Sequence, residues 1–137
     1  MKIILKGRKI SKGKGEGYAL VTNQAISFLA GVDPDRGVII DKNHELKNKS
    51  IINKVLVFPQ GKGSTAGSWI IMRLAENKTA PVAMINVETE PIVAAGSILA
   101  GIPLVDKLDK DPTEIIQTGD LVIVDADKGI VEVIKRG

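Results

Sequence analysis

The sequence predicts a mixed α/β fold with a barrel-like β layer, helices on one side and a central βαβ unit. Three observations carry this. Aromatic residues are only 3% of the chain, so the core rests on Ile, Val, Leu and Ala, and β-branched residues favour strands. A short apolar run at 54–58 leads through a glycine-rich loop into an apolar segment of helical spacing, then into a second run at 81–87. Such a strand–helix–strand order makes its two strands parallel neighbours. Lastly, the runs 121–124 and 130–134 flank Asp125-Ala126-Asp127-Lys128-Gly129, a hairpin with a loop longer than two residues.

The elements follow in order. Residues 1–10 read as a first strand with lysines on its wet face and exposed edge. Residues 11–17 read as a flexible turn built on Gly13, Gly15 and Gly17. Strands are expected at 18–22, 25–30 and 38–40, with strong turn signals at Gly31-Val32-Asp33-Pro34-Asp35-Arg36-Gly37 between the last two. Residues 41–50 are polar and loop-like, and His44 is expected there as a solvated histidine. The run 54–58 suits a strand buried on both faces. A helix is expected at 64–77. Ala66, Ile70 and Leu74 share one face beside Trp69, and Ile71, Met72 and Ala75 make the other face apolar, so it should be well buried. Thr89-Glu90-Pro91 reads as a second helix start, with proline in the first turn and an end at Gly101. Residues 103–105 are extended, and Asp111-Pro112-Thr113-Glu114 is a capped turn. The 137 residues, 44% apolar and 26% charged, are expected to form one domain, 1–137.

The formal charge of +3 is uneven, with six basic residues and no acid before Glu16. Few aromatics are available for base stacking and no second basic cluster follows, so nucleic acid is not the expected partner. No run is long and apolar enough to span a membrane and no leader is evident, so a cytoplasmic protein is expected. There is no cysteine, hence no thiolate for an iron–sulfur cluster or a cysteine-type zinc site. His44 lacks partner ligands in sequence, Asp33-Pro34-Asp35 is explained by turn chemistry, and no metal site is expected.

The loop Pro59-Gln60-Gly61-Lys62-Gly63-Ser64-Thr65-Ala66-Gly67-Ser68 is the strongest candidate site. It lacks the ending of a nucleotide P-loop and the spacing of a dinucleotide fingerprint. A helix start exposes backbone N–H groups that can hold an anion or stabilise a serine that must lose its proton. Ser64 is the candidate catalytic residue. Gly61, Lys62, Gly63 and Thr65 are the candidate substrate contacts, the glycines allowing close approach and Lys62 being the nearest cation in sequence. Serine also leads helix-cap preferences, so a purely capping Ser64 stays open at this point. Three glycines in seven positions are more than a cap needs. No Ser–His pair is close in sequence.

Gly31-Val32-Asp33-Pro34 with Gly37, then Asp41 and His44, then Pro59-x-Gly61-x-Gly63-Ser64-x-x-Gly67-Ser68 and Ala80-Pro81, resemble the small, swivel-domain component of the aconitase X group. The resemblance runs in order over nearly the whole chain. It implies a swivelling β/β/α, barrel-like domain that docks on a cysteine-bearing, aconitase-like large subunit, and a 4Fe–4S cluster carried there and not by this chain. It implies a hydro-lyase that removes water from a β-hydroxy acid. The first expectation is conversion of (R)-5-phosphomevalonate to trans-anhydromevalonate 5-phosphate in a modified mevalonate route to isoprenoids. A cis-3-hydroxyproline dehydratase of the same group and a non-catalytic anion-binding or assembly module are the alternatives. The family's proton-accepting serine falls on Ser64. The chain departs from true aconitases, which place an arginine soon after that serine, and Lys62 stands where many relatives would carry arginine.

Overall fold

The computed structural model describes residues 1–135. Its main sheet has eight strands, in the order β1-β10-β9-β3-β6-β7-β8-β2. These are β1 (Lys2–Lys6), β2 (Arg8–Ser11), β3 (Lys14–Val21), β6 (Val55–Phe58), β7 (Ala83–Asn86), β8 (Leu104–Asp106), β9 (Leu121–Asp125) and β10 (Ile130–Ile134). A separate two-stranded ribbon pairs β4 (Val32–Asp33) with β5 (Val38–Ile39). The expected first strand is split at Gly7. β1 and β2 are consecutive in the chain yet lie at opposite ends of the strand order, so the sheet must curl to bring its ends together. That curl is the barrel-like character expected from the sequence.

β3 joins two halves. Its residues Lys14 to Tyr18 pair antiparallel with β9, and Ala19 to Val21 pair parallel with β6. β6, β7 and β8 then run parallel, and β2 closes the edge antiparallel to β8. The βαβ unit is therefore present, with β6 and β7 fully buried as expected for strands covered on both faces. Alternation along them divides two cores. Leu56, Phe58, Met84 and Leu104 face the helices, while Val55, Val57, Ile85 and Val105 face the inside of the curl, against Val122, Val124, Val131 and Val133 of the hairpin.

Other sequence expectations change as well. Gly15 and Gly17 lie inside β3 and not in a turn: a Cβ on Gly15 would strike the Val82 carbonyl oxygen, and one on Gly17 would lie 2.7 Å from the Asn53 carbonyl oxygen. Backbone crosses close over the strand there, which only glycine permits. The expected strand at 25–30 is instead a single bridge at Ile26 followed by α1 (Phe28–Gly31). Phe28 leaves the strand pattern to join the helix-side core, where its ring lies 5.9 Å from that of Phe58. His44 is buried, not solvated. Its Nδ1 accepts the Leu46 N–H at 3.0 Å, which pulls the ring inward with the buried Leu46.

The long helices are α2 (Gly67–Glu76) and α3 (Pro91–Ala100), followed by the short α4 (Pro112–Ile115). α2 starts later than expected and turns Gly67, Ile71 and Leu74 inward, leaving Trp69 67% exposed. α3 has Pro91 in its first turn and ends at Gly101, whose φ of 73° is the left-handed cap glycine permits. Gly96 lets the two helices touch, and Ser68 Oγ donates to the Ile92 carbonyl at 2.7 Å.

Candidate functional site

Parallel strands gather their following loops at one edge, and α/β folds use that edge for ligands. Here the loop after β6 carries Gly61 to Ala66, and the loop after β7 carries Val87 to Glu90. The first is held by the second. The amides of Val87 and Glu88 both donate to the Pro59 carbonyl, at 3.0 and 3.3 Å. On its other side the loop pairs with the segment after β3: Ile26 N–H donates to Gln60 O at 3.2 Å, and Lys62 N–H to Ile26 O at 3.1 Å.

Both outer glycines of the Gly-x-Gly stretch are dictated by contact. A Cβ on Gly61 would lie 2.5 Å from Glu90 Oε1 and 2.5 Å from Val93 Cγ2. Gly63 has φ of +93°, and a Cβ there would lie 2.9 Å from Ser27 Oγ. Between and beyond them, Lys62, Ser64 and Thr65 are exposed. Ser64 Oγ accepts the Ala66 N–H at 3.2 Å, and its carbonyl accepts the Gly67 N–H at 2.9 Å. The serine thus makes a cap-like turn ahead of α2 while its hydroxyl stays open to solvent.

This geometry corrects one detail of the sequence reading. The leading amides of α2 are not open, since those of Gly67, Ser68 and Trp69 already donate to the carbonyls of Ser64, Thr65 and Ala66. The α3 start is closed as well: the Glu90 carboxylate accepts from Ile92 and Val93 N–H, each at 2.8 Å. Within the loop the amides of Gln60 and Gly61 donate to nothing among the described residues, and neither do those of Gly63, Ser64 and Thr65, which are consecutive. Three consecutive free donors around a serine hydroxyl suit an anion better than a helix end would. Glu90 was not singled out from the sequence for this site. Its position three residues before Val93 marked a helix cap, and nothing local connects it to Gly61.

Beneath both loops lies a buried polar set. Asn86 and Asp106 end β7 and β8 with no exposed surface. Asp106 accepts Arg8 Nε at 2.9 Å, Arg8 Nη2 at 2.8 Å and the Thr89 N–H at 2.7 Å. Burial alone would raise the Asp106 carboxyl, but these donors and the Arg8 charge outweigh it and hold it below the usual carboxylate range. Asp33 is lowered too, by Arg36 and the Asp35 amide, within the expected turn.

His44 does not join Ser64 through any hydrogen bond among the described residues; its Nε2 is buried without a partner. No group of three or more His, Cys, Asp or Glu residues is placed to hold a metal ion among the described residues. No helix among them is long and apolar enough to cross a membrane. A concavity lined by Lys14, Glu16, Ile123, Asp125, Lys128, Ile130 and Glu132 lies on the antiparallel half and does not include the serine loop.

Comparison with known proteins agrees with this architecture. The aconitase X swivel domain matches residues 4–133. The phosphomevalonate dehydratase small subunit of Methanosarcina mazei is 52% identical over 135 residues, covering 98% of this chain and 94% of that one. That of Thermococcus sibiricus is 53% identical over 129 residues, covering 94% and 97%. Among solved structures, holo-form aconitase X of Thermococcus kodakaraensis superposes with a TM-score of 0.92 at 47% identity, covering 97% of this chain and 99% of that one. A solution structure of a UPF0107 protein gives 0.86 at 44% identity, covering 97% and 100%. With its curled mixed sheet, its βαβ unit and its exposed serine loop, the chain belongs to the aconitase X swivel-domain family.

Proposed function

We propose that this chain, acting as one swivel domain over 1–137, is the small subunit of a cytoplasmic hydro-lyase. It dehydrates (R)-5-phosphomevalonate to trans-anhydromevalonate 5-phosphate in a modified mevalonate route. Ser64 is the proton acceptor, and Gly61, Lys62, Gly63 and Thr65 lie against the substrate. The observation that carries this reading is the agreement of relatives about half identical over nearly the whole chain, which share the name phosphomevalonate dehydratase small subunit.

The chemistry suits the loop. Dehydration takes a proton from the carbon α to a carboxylate and expels hydroxide from the β carbon. That proton is weakly acidic, so a base must sit beside it and the charge that develops must be stabilised. A serine is a base only if its alkoxide is stabilised. The Ala66 N–H already points at Oγ, and the free amides of Gly63, Ser64 and Thr65 add donors for substrate oxygens. Ser64 is exposed in this chain, whereas proton abstraction from carbon works best with water excluded. A large subunit closing over the loop supplies that cover.

This chain does not fit a resident iron–sulfur cluster, because it has no cysteine and no ligand group among its described residues. We place the 4Fe–4S cluster that the family resemblance implies on a cysteine-bearing, aconitase-like partner.

The test is Ser64→Ala in the two-subunit enzyme, reconstituted without oxygen. The complex should assemble as in wild type and turnover should fall by about 10²–10⁴-fold. Near-normal turnover removes Ser64 as the base. Wild-type activity on cis-3-hydroxyproline and none on phosphomevalonate replaces the substrate.

A further inference from the structure

A hydrogen-bonded relay runs from the sheet edge to the root of the serine loop. Arg8 opens the edge strand β2, and its neighbour β8 meets it at Asp106, which takes two of its guanidinium nitrogens. The same carboxylate holds the Thr89 N–H. Thr89 Oγ1 donates to Asn86 Oδ1 at 3.1 Å, and Asn86 Nδ2 donates to the Phe58 carbonyl at 3.0 Å. Phe58 is the last residue before the loop, and the next carbonyl, that of Pro59, is held by Val87 and Glu88 of the same segment.

An amide and a carboxylate with no exposed surface are costly to bury and are tolerated only with partners. In a sheet end otherwise built of Leu, Val, Phe and Met, apolar residues would fill the same space. What the polar pair adds is direction: each bond fixes either the 86–90 segment or the carbonyls from which the serine loop departs. Gly7 completes the fit, since a Cβ there would strike the Asp106 carbonyl oxygen and push Arg8 away.

We propose that Arg8, Asp106, Thr89 and Asn86 are positioning residues for the Ser64 loop, acting through the Phe58 and Pro59 carbonyls. This rests on the reading of that loop as catalytic. The relay sets where the loop leaves the sheet, and the Ile26 and Lys62 amides tie down its far side.

The experiment uses the reconstituted two-subunit enzyme with Asp106→Asn, Thr89→Val and Arg8→Lys. Thr89→Val removes only the hydroxyl link and leaves both charges and the main-chain N–H, so it reports on the relay even if Asp106→Asn folds poorly. Amide hydrogen exchange at Ile26 and Lys62 is followed beside that at Val131 and Val133 in the distant hairpin, together with kcat and KM. The expected result is exchange about ten-fold faster at Ile26 and Lys62 with none at the hairpin, and kcat lower by about ten- to a hundred-fold at nearly constant KM. Arg8→Lys, which keeps the charge with a single donor head, should show a smaller change in both than Asp106→Asn. Uniformly faster exchange, unchanged exchange at Ile26 and Lys62, or wild-type kcat in the variants overturns the proposal. A wild-type pair inactive on phosphomevalonate would instead defeat the functional reading, and the exchange data would still decide this one.

Discussion

Glu90 and Gly61 share one space. The Glu90 carboxylate caps α3 through Ile92 and Val93 N–H, and its Oε1 lies where a Cβ on Gly61 would come within 2.5 Å. The helix cap and the loop glycine are thus one packing unit, although they lie 29 positions apart in the sequence.

Gly61→Ala therefore has two ways to fit, both unfavourable. Glu90 can swing away and leave its cap, at about 1 kcal/mol. Val93 cannot follow, because a β-branched side chain in a helix has essentially one rotamer. The loop must shift as well, so a total loss of about 2–3 kcal/mol is expected once overpacking is included. Urea denaturation should show it as a lower midpoint at unchanged slope. Turnover of the two-subunit enzyme should fall with it, because the shift moves Ser64. A variant with wild-type midpoint and turnover would show that the loop has slack here.

Gly96 sets propensity against packing. Alanine is about 1 kcal/mol better than glycine inside a helix. A Cβ at Gly96 would, however, lie 2.9 Å from Ile71 Cδ1, 3.0 Å from Ile71 Cβ and 3.1 Å from Ser68 Cα. Two of these atoms are fixed to the α2 backbone and cannot rotate away. Overpacking of this kind costs about 1–3 kcal/mol, so Gly96→Ala should be net destabilising by up to about 2 kcal/mol, and Gly96→Val more so. Increased stability in Gly96→Ala, read by the same denaturation, would mean that α2 and α3 slide apart freely.

Much of the centre of the fold was legible because its signals are local. Val55 to Phe58, the apolar helix, Pro91 in a first turn, Gly101 at a helix end and the final hairpin each announce themselves within a few residues. The misreadings have distant causes. Gly15 and Gly17 looked like turn glycines, and the backbone that demands them, at Val82 and Asn53, lies far along the chain. Phe28 looked like a strand residue until Phe58 gave it a partner. The serine loop was legible as a site from its glycines and its setting between strand and helix. Glu90 and the Arg8–Asp106 pair were not, since no local pattern links a residue near the start of the chain to one 98 positions later.

The Arg8–Asp106 pair makes a pH prediction. Asp106 titrates below its ordinary value of about 3.9 in the folded chain. A carboxyl lowered by folding contributes stability that is fully present above its unfolded value and lost as pH falls through its folded value. Denaturation midpoints should therefore be flat in this respect above about pH 5 and decline below the usual aspartate range. Asp33 shifts in the same direction, so the comparison is between wild type and Asp106→Asn. The difference between the two should shrink as the solution is acidified. A constant difference from pH 7 down to about pH 2 would mean that Asp106 does not ionise differently on folding.

His44 supplies the last prediction. Its Nδ1 accepts the Leu46 N–H, so in the neutral ring the proton sits on Nε2, and that atom is buried without a partner among the described residues. One ring nitrogen therefore satisfies the backbone and the other is an unpaired buried donor, each worth about 1–3 kcal/mol if left unmatched. Asn places its carbonyl oxygen close to where Nδ1 stands and exchanges the deep Nε2 donor for an amide nitrogen nearer the backbone. Leu fills more of the space but leaves the Leu46 N–H without an acceptor. Packing alone ranks His44→Leu above His44→Asn in stability, whereas hydrogen bonding reverses the order. The expected result is that His44→Asn has the higher denaturation midpoint, by about 1 kcal/mol. The opposite order would show that Leu46 finds another acceptor when the ring is gone.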